Sequence, residues 1–266
     1  LGNSEKPELP YRDDFYYRDA CGEEILHDLR PLVRNFLKEV WAKDFLFDDK
    51  KRVNYALRLA LESHKEQLRR ERRSPYVEGC ELPYVVHPIE AAFRALREGH
   101  SASFLVWLLL HDTLEDTWIR FHDKKFVREL FRGEVTELIV RKLSRFRLVE
   151  DQKTGEKKSV KISDKEYADQ LRSSYSAVKA KHYDTLANLC SDGRRLDECL
   201  EIYPDKARKI IADIKKFIAQ TQEFLLPIES DFYKELKKET EELTLKLETR
   251  LQVAETFLLQ NPAGNL

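Results

Sequence analysis

Turn-forming residues are scarce in this chain: 266 positions hold only 8 glycines and 9 prolines. That shortage argues against a turn-rich β architecture and favours long helices. Cysteine is equally thin. Cys21, Cys80, Cys190 and Cys199 form no Cys-x-x-Cys pair and no regular framework, so neither a zinc ribbon nor a disulfide scaffold is expected, and reduced thiols in a cytoplasmic protein are. No apolar run approaches the ~18 residues of a membrane span, and the opening "LGNSEKPELPYRDD" is too polar for a signal peptide. Charge of one sign is also missing, with 47 Lys+Arg against 48 Asp+Glu. That balance gives no global reason to expect nucleic acid or an anionic membrane as partner. Methionine is absent altogether, an oddity at this length.

What is present is a core and a heavily solvated exterior, with 42% apolar and 36% charged residues, enough for one generous domain with terminal extensions. Helical spacing runs through 22–40 (interrupted by Pro31), 50–73, 101–116, 125–146 and 165–189. In "HPIEAAFRALREG", Pro88 suits a first helical position, His87 the N-cap, and Gly99 the close. Residues 231–260 carry a leucine stripe that predicts a long amphipathic helix. The segment "EDQKTGEKKSVKISD" reads as a surface loop. The expected fold class is all-α.

One stretch stands apart. "FLVWLLLHDTLEDT", residues 104–117, runs a strongly apolar helix into an imidazole and three carboxylates. The His-Asp dipeptide also occurs at His27-Asp28 and His122-Asp123, but only His111-Asp112 follows a buried helix. Only there do Asp112, Glu115 and Asp116 share one face at i, i+3 and i+4. Three like charges on one face repel, and a divalent cation would remove the penalty. Imidazole with carboxylate suits one Mn²⁺ or Fe²⁺, with Zn²⁺ an alternative. Further ligands must come from elsewhere; His87 stands at the start of the preceding helix, and "KHYDTLANL" offers Asp184, with Asn188 one turn on. His182 lies about 200° from Asp184 around that helix, so it is not expected to ligate.

Taken in order, "YALRLALESHKEQLRR", "LPYVVHPIEAAFRAL", "FLVWLLLHDTLEDT", "KLSRF" and "YADQLRSSYSAVKAKHYDTLANL" resemble the HD-superfamily hydrolase domain of the RelA/SpoT alarmone enzymes and their small stand-alone relatives. The resemblance covers 50–228, leaving 1–49 as an N-terminal extension and 229–266 as a C-terminal helical extension. It implies an HD-domain helical bundle, one Mn²⁺ held by His87, His111, Asp112 and Asp184, and a catalytic pair, Glu115 and Asp116, that positions and deprotonates water. The implied reaction removes pyrophosphate from the 3′ position of a guanosine 3′,5′-bis(diphosphate)-type alarmone. Arg69 and Arg70 match basic residues placed against the base, where guanidinium planes stack on purines. Asn188 corresponds to a nucleoside contact, Lys142, Arg145 and Arg194-Arg195 are candidate phosphate contacts, and His64 belongs to the motif as a supporting residue.

The chain departs from the family pattern in two places. "ERRSPYVEGCE" lengthens the link beside the base pocket, and Thr185-Leu186-Ala187 replaces an Arg-Leu-His that often precedes the asparagine. These leave open a different phosphorylated nucleotide, such as the 2′-phosphate of NADPH or a nucleoside phosphate, or a non-catalytic nucleotide-sensing module. The ~35 residues after the matched region are too few for a synthetase domain, so hydrolysis alone is expected. Oligomeric state is not assigned.

Overall fold

The structure is a computed structural model that describes residues 16–18, 24–26, 29–65, 67–73, 81–151, 155, 157–188 and 231–260, with isolated positions between 211 and 219. The described chain is mostly helical: α1 (Arg30–Ala42), α2 (Phe47–Ser63), α3 (Val86–Arg97), α4 (Ala102–Leu110), α5 (Thr113–Asp116), a 3₁₀ turn (Trp118–Phe121), α6 (Lys124–Leu130), α7 (Glu134–Leu143), α8 (Asp164–Arg172), α9 (Tyr175–Asn188) and α10 (Asp231–Gln260). Among the described residues no helix is long and apolar enough to cross a membrane.

Three two-stranded antiparallel ribbons accompany the helices: β1–β2 (Tyr16–Arg18, Glu24–Leu26), β3–β4 (Leu68–Arg73, Glu81–Pro83) and β5–β6 (Phe146–Glu150, Lys157–Lys161). All three correct the sequence reading. The helix expected over 22–40 starts only at Arg30, and Glu24–Leu26 within it is strand β2. The helix expected over 50–73 ends at Ser63, and its arginine-rich end is strand β3, paired Leu68↔Pro83 and Arg69↔Leu82. Arginine is a good helix former, so pairing with a distant segment overrides local propensity here. The expected loop around 150–164 instead supplies β6, which pairs Phe146↔Lys161 through Glu150↔Lys157.

Long helical stretches are also cut where side chains or backbone intervene. The helix over 101–116 breaks at His111-Asp112, where the His111 ring and the Thr113 hydroxyl each bond a carbonyl at the end of α4, those of Leu108 and Leu110, both at 2.6 Å. Such side-chain bonds compete with the continuing helix ladder. The helix over 125–146 breaks between α6 and α7, where Arg132 takes a left-handed φ of 52°. Gly99 closes α3 as expected: its φ is +87°, and the His100 and Gly99 amides bond the Ala95 and Leu96 carbonyls, a Schellman ending.

Helix α4 is apolar almost all round and sits at the centre. It packs on α2, α3, α7 and α9; Leu57, Leu61, Ile89, Leu96, Leu105 and Leu108 are fully buried around it. Leu105→Ala should therefore cost about 2–5 kcal/mol, the range for a truncated core leucine, read from urea unfolding. Because α4 ends in the His-Asp pair, this packing fixes where the polar cluster begins.

Helix α10 lies against α9, with Thr244 and Leu251 buried. Their contact includes His182, whose Nδ1–H donates to the Val178 carbonyl at 3.0 Å and whose Nε2 faces the Thr244 hydroxyl at 3.3 Å. Burial pushes the His182 pKa down from 6.5 to about 4. The folded chain thus disfavours the protonated ring, and stability held above pH 6.5 is lost as pH falls toward 4. The loss amounts to roughly 3 kcal/mol at 1.36 per pH unit. Denaturant titrations of wild type and His182→Gln at the two ends of that window should show a stability loss in wild type larger by this amount.

Candidate metal centre

Three separate helical segments deliver the polar cluster. Helix α3 carries His87 in its first turn, two positions further in than the N-cap expected from sequence. Val85 is the N-cap, because the turn at Tyr84-Val85 starts the helix early. Pro88 then occupies the first turn, where its missing N–H has no intrahelical acceptor to lose. The α4–α5 junction supplies His111 and Asp112, and α9 supplies Asp184.

Asp184 Oδ1 stands 2.8 Å from His87 Nε2 and 3.4 Å from His111 Nε2. Asp112 Oδ2 is 3.1 Å from His111 Nε2 and 3.6 Å from His87 Nε2. One ligand atom each from His87, His111 and Asp184 lies within 4.8 Å of the others, and all three residues are buried. Bonds of about 2.0–2.2 Å to a shared ion place neighbouring ligand atoms about 3 Å apart, which is the spacing seen.

The His111 ring gives the sharpest test of fit. Its Nδ1–H is committed to the Leu108 carbonyl, so the neutral tautomer turns the Nε2 lone pair toward the carboxylate oxygens. That Nε2 is buried and has no hydrogen-bond partner among the described residues. Lone pair facing lone pair is unfavourable unless a proton or a cation lies between. Burial alone would lower the His111 pKa, but Asp112 and Asp184 outweigh it and hold the ring well above its usual value. Burial would likewise raise Asp184, yet Lys181 and the two imidazoles bring it well below the ordinary carboxylate range. The cluster gathers positive charge, and its donor set, two imidazoles with carboxylates, could hold a divalent metal.

Glu115 and Asp116 follow on α5. Glu115 Oε2 accepts the Arg145 backbone N–H at 2.9 Å, and its carbonyl accepts Arg120 Nη1 at 3.1 Å. Asp116 Oδ2 accepts the Tyr84 hydroxyl at 2.6 Å, and the same hydroxyl stands 2.9 Å from Asp112 Oδ2. Withdrawal from water pushes both acids up, helped at Asp116 by the neighbouring Asp112 charge. Such carboxylates are better bases than surface ones. Behind them, His64 Nδ1 bonds Gln67 Oε1 at 2.7 Å, Gln67 Nε2 donates to the Asp116 carbonyl at 2.5 Å, and the His64 ring stacks on Tyr84.

Other residues singled out from sequence fall differently. Lys142 donates to Ser173, and the Arg145 guanidinium donates to Asp164 at 3.2 Å while lying over the Tyr167 ring. The Arg145 backbone, not its side chain, meets Glu115. Arg69 and Arg70 are on β3 and Asn188 is the last residue of α9; their side chains, and all of Arg194-Arg195, lie outside the described residues. His122-Asp123 caps α6, far from the role of its namesake: Asp123 Oδ1 accepts the Phe126 amide at 2.9 Å. His27-Asp28 also lies outside the described residues. Tyr84 and Lys181 are further polar neighbours of the cluster, each three residues before one of its members, His87 and Asp184; both lie in segments quoted for the resemblance, which gave them no role. No family model matches the chain, and no curated protein matches it.

Proposed function

We propose that this chain is a metal-dependent phosphohydrolase of the HD type, acting on a guanosine 3′,5′-bis(diphosphate)-type alarmone and releasing pyrophosphate from the 3′ position. The observation that carries this is the buried meeting of His87, His111 and Asp184, with Asp112 beside them and two raised carboxylates one turn on. The substrate class is what the resemblance of the quoted segments to the RelA/SpoT hydrolase domain implies.

His87, His111, Asp112 and Asp184 would hold one Mn²⁺, with Fe²⁺ and Zn²⁺ as alternatives. Such an ion lowers the pKa of water and offsets phosphoryl charge. Glu115, its Oε2 fixed by the Arg145 amide, takes the proton of the attacking water on its other oxygen. Asp116, pinned by Tyr84 and Gln67, orients that water. The water oxygen bonds to the phosphorus attached at O3′, the P–O3′ bond breaks, O3′ takes up a proton, and pyrophosphate departs. Arg69, Arg70 and Asn188 are assigned to the nucleoside.

A second reading keeps this chemistry and changes the nucleotide. The lengthened "ERRSPYVEGCE" link favours it, because that link joins the two strands carrying and facing Arg69. Purified protein with Mn²⁺, supplied separately with ppGpp, NADPH and nucleoside phosphates, should release pyrophosphate from ppGpp. Orthophosphate from NADPH alone would move the assignment to the second substrate. Binding without any release would make the chain a sensing module.

A further inference from the structure

We infer that Lys181 is the cation that holds the phosphoryl group under attack. The inference rests on the phosphohydrolase reading and names the residue at that site which recognises the anion. Lys181 lies one turn before Asp184 on α9, and its ammonium pairs with Asp184 Oδ2. Asp184 turns its other oxygen, Oδ1, to the two imidazoles. The ammonium therefore borders the metal cluster, and its charge is felt by Asp112, by the Tyr167 hydroxyl and by Glu115.

An ammonium has three donors. Among the described residues Asp184 is the one side chain that accepts from it, and the Lys181 side chain stays 23% exposed. Donors therefore remain for an anion that reaches the cluster. Among the described residues, Lys142 bonds Ser173, Arg145 bonds Asp164, and Arg120 bonds the Glu115 carbonyl. Without a fixed positive charge, the four carboxylates of Asp112, Glu115, Asp116 and Asp184 would repel a phosphate polyanion. The ion pair holds Lys181 in place, so no reorganisation is needed when phosphoryl charge builds.

Lys181→Gln keeps an N–H for Asp184 Oδ2 and removes the charge; Lys181→Arg keeps the charge. Calorimetry on the full chain should first measure Mn²⁺ binding, and then inorganic pyrophosphate binding to the Mn²⁺-saturated protein. The glutamine variant should still take up one Mn²⁺ and bind pyrophosphate about tenfold to a hundredfold more weakly, the value of one charged hydrogen bond. The arginine variant should recover most of that loss, and it carries the test if the glutamine variant does not fold. Unchanged pyrophosphate affinity in Lys181→Gln, or its loss in Lys181→Arg, overturns the inference. So does parallel loss of Mn²⁺ and pyrophosphate in Lys181→Gln, which would reduce Lys181 to a support for Asp184. Wild-type protein that binds pyrophosphate but no Mn²⁺ overturns the metal reading instead and leaves the anion role of Lys181 to the variants.

Discussion

His111→Ala should abolish stoichiometric Mn²⁺ binding, with affinity falling more than about a hundredfold, beyond the range for losing a supporting neighbour of a ligand. His111 is the natural choice because both its ring nitrogens are accounted for. Nδ1 is tied to the Leu108 carbonyl, and the unpartnered Nε2 faces Asp112 and Asp184. Removing the ring leaves two carboxylates without the group that stands between them. Asp184→Asn is a poorer probe, since it also strands Lys181, and breaking a buried pair costs about 3–5 kcal/mol by itself. The pH dependence has a definite sign. Asp112 and Asp184 hold the His111 pKa above its usual value, a protonated imidazole cannot ligate, and Mn²⁺ affinity must weaken as pH falls. Isothermal titration of wild type, His111→Ala and His182→Ala separates ligand from neighbour. An unchanged Kd in the first variant removes the metal centre.

Glu115→Gln should lower turnover about a hundredfold to ten-thousandfold, the usual contribution of a positioned base, while Mn²⁺ binding should persist. Glutamine keeps an oxygen to accept the Arg145 amide, so local structure is retained and only the basic site is lost. Burial raises the Glu115 pKa, so wild-type activity should climb with pH as the carboxyl ionises, and the variant should lack that limb. Steady-state rates and Mn²⁺ titrations on the same preparations check both halves. Equal turnover in the two proteins would transfer the base role to Asp116, which Tyr84 and Gln67 hold from the other side.

The comparison of sequence with structure is most instructive at two places. Helix α4 was legible because nearly every residue from Ala102 to Leu110 is apolar, a pattern that makes sense only at the centre of a packed chain. Its sharp end at His111-Asp112 was not legible, because it arises from side chains bonding the carbonyls of Leu108 and Leu110. Strand β3 shows the opposite failure. A run of arginines reads as a helix terminus, and only its pairing with Glu81–Pro83 makes it extended. The roles of Lys142 and Arg145 were equally out of reach, since their partners Ser173 and Asp164 are 31 and 19 residues away.

Composition and periodicity, both local properties, were enough to specify a mostly helical chain with an apolar centre and to mark His87, His111, Asp112 and Asp184 as residues worth bringing together. Whether they meet depends on how α3, the α4–α5 junction and α9 cross, and that is a matter of long-range packing. The same packing buries the His111 lone pair against two carboxylates. Spacing along a helix names the face a side chain occupies; the neighbour on the other side of that face exists only once the chain has folded.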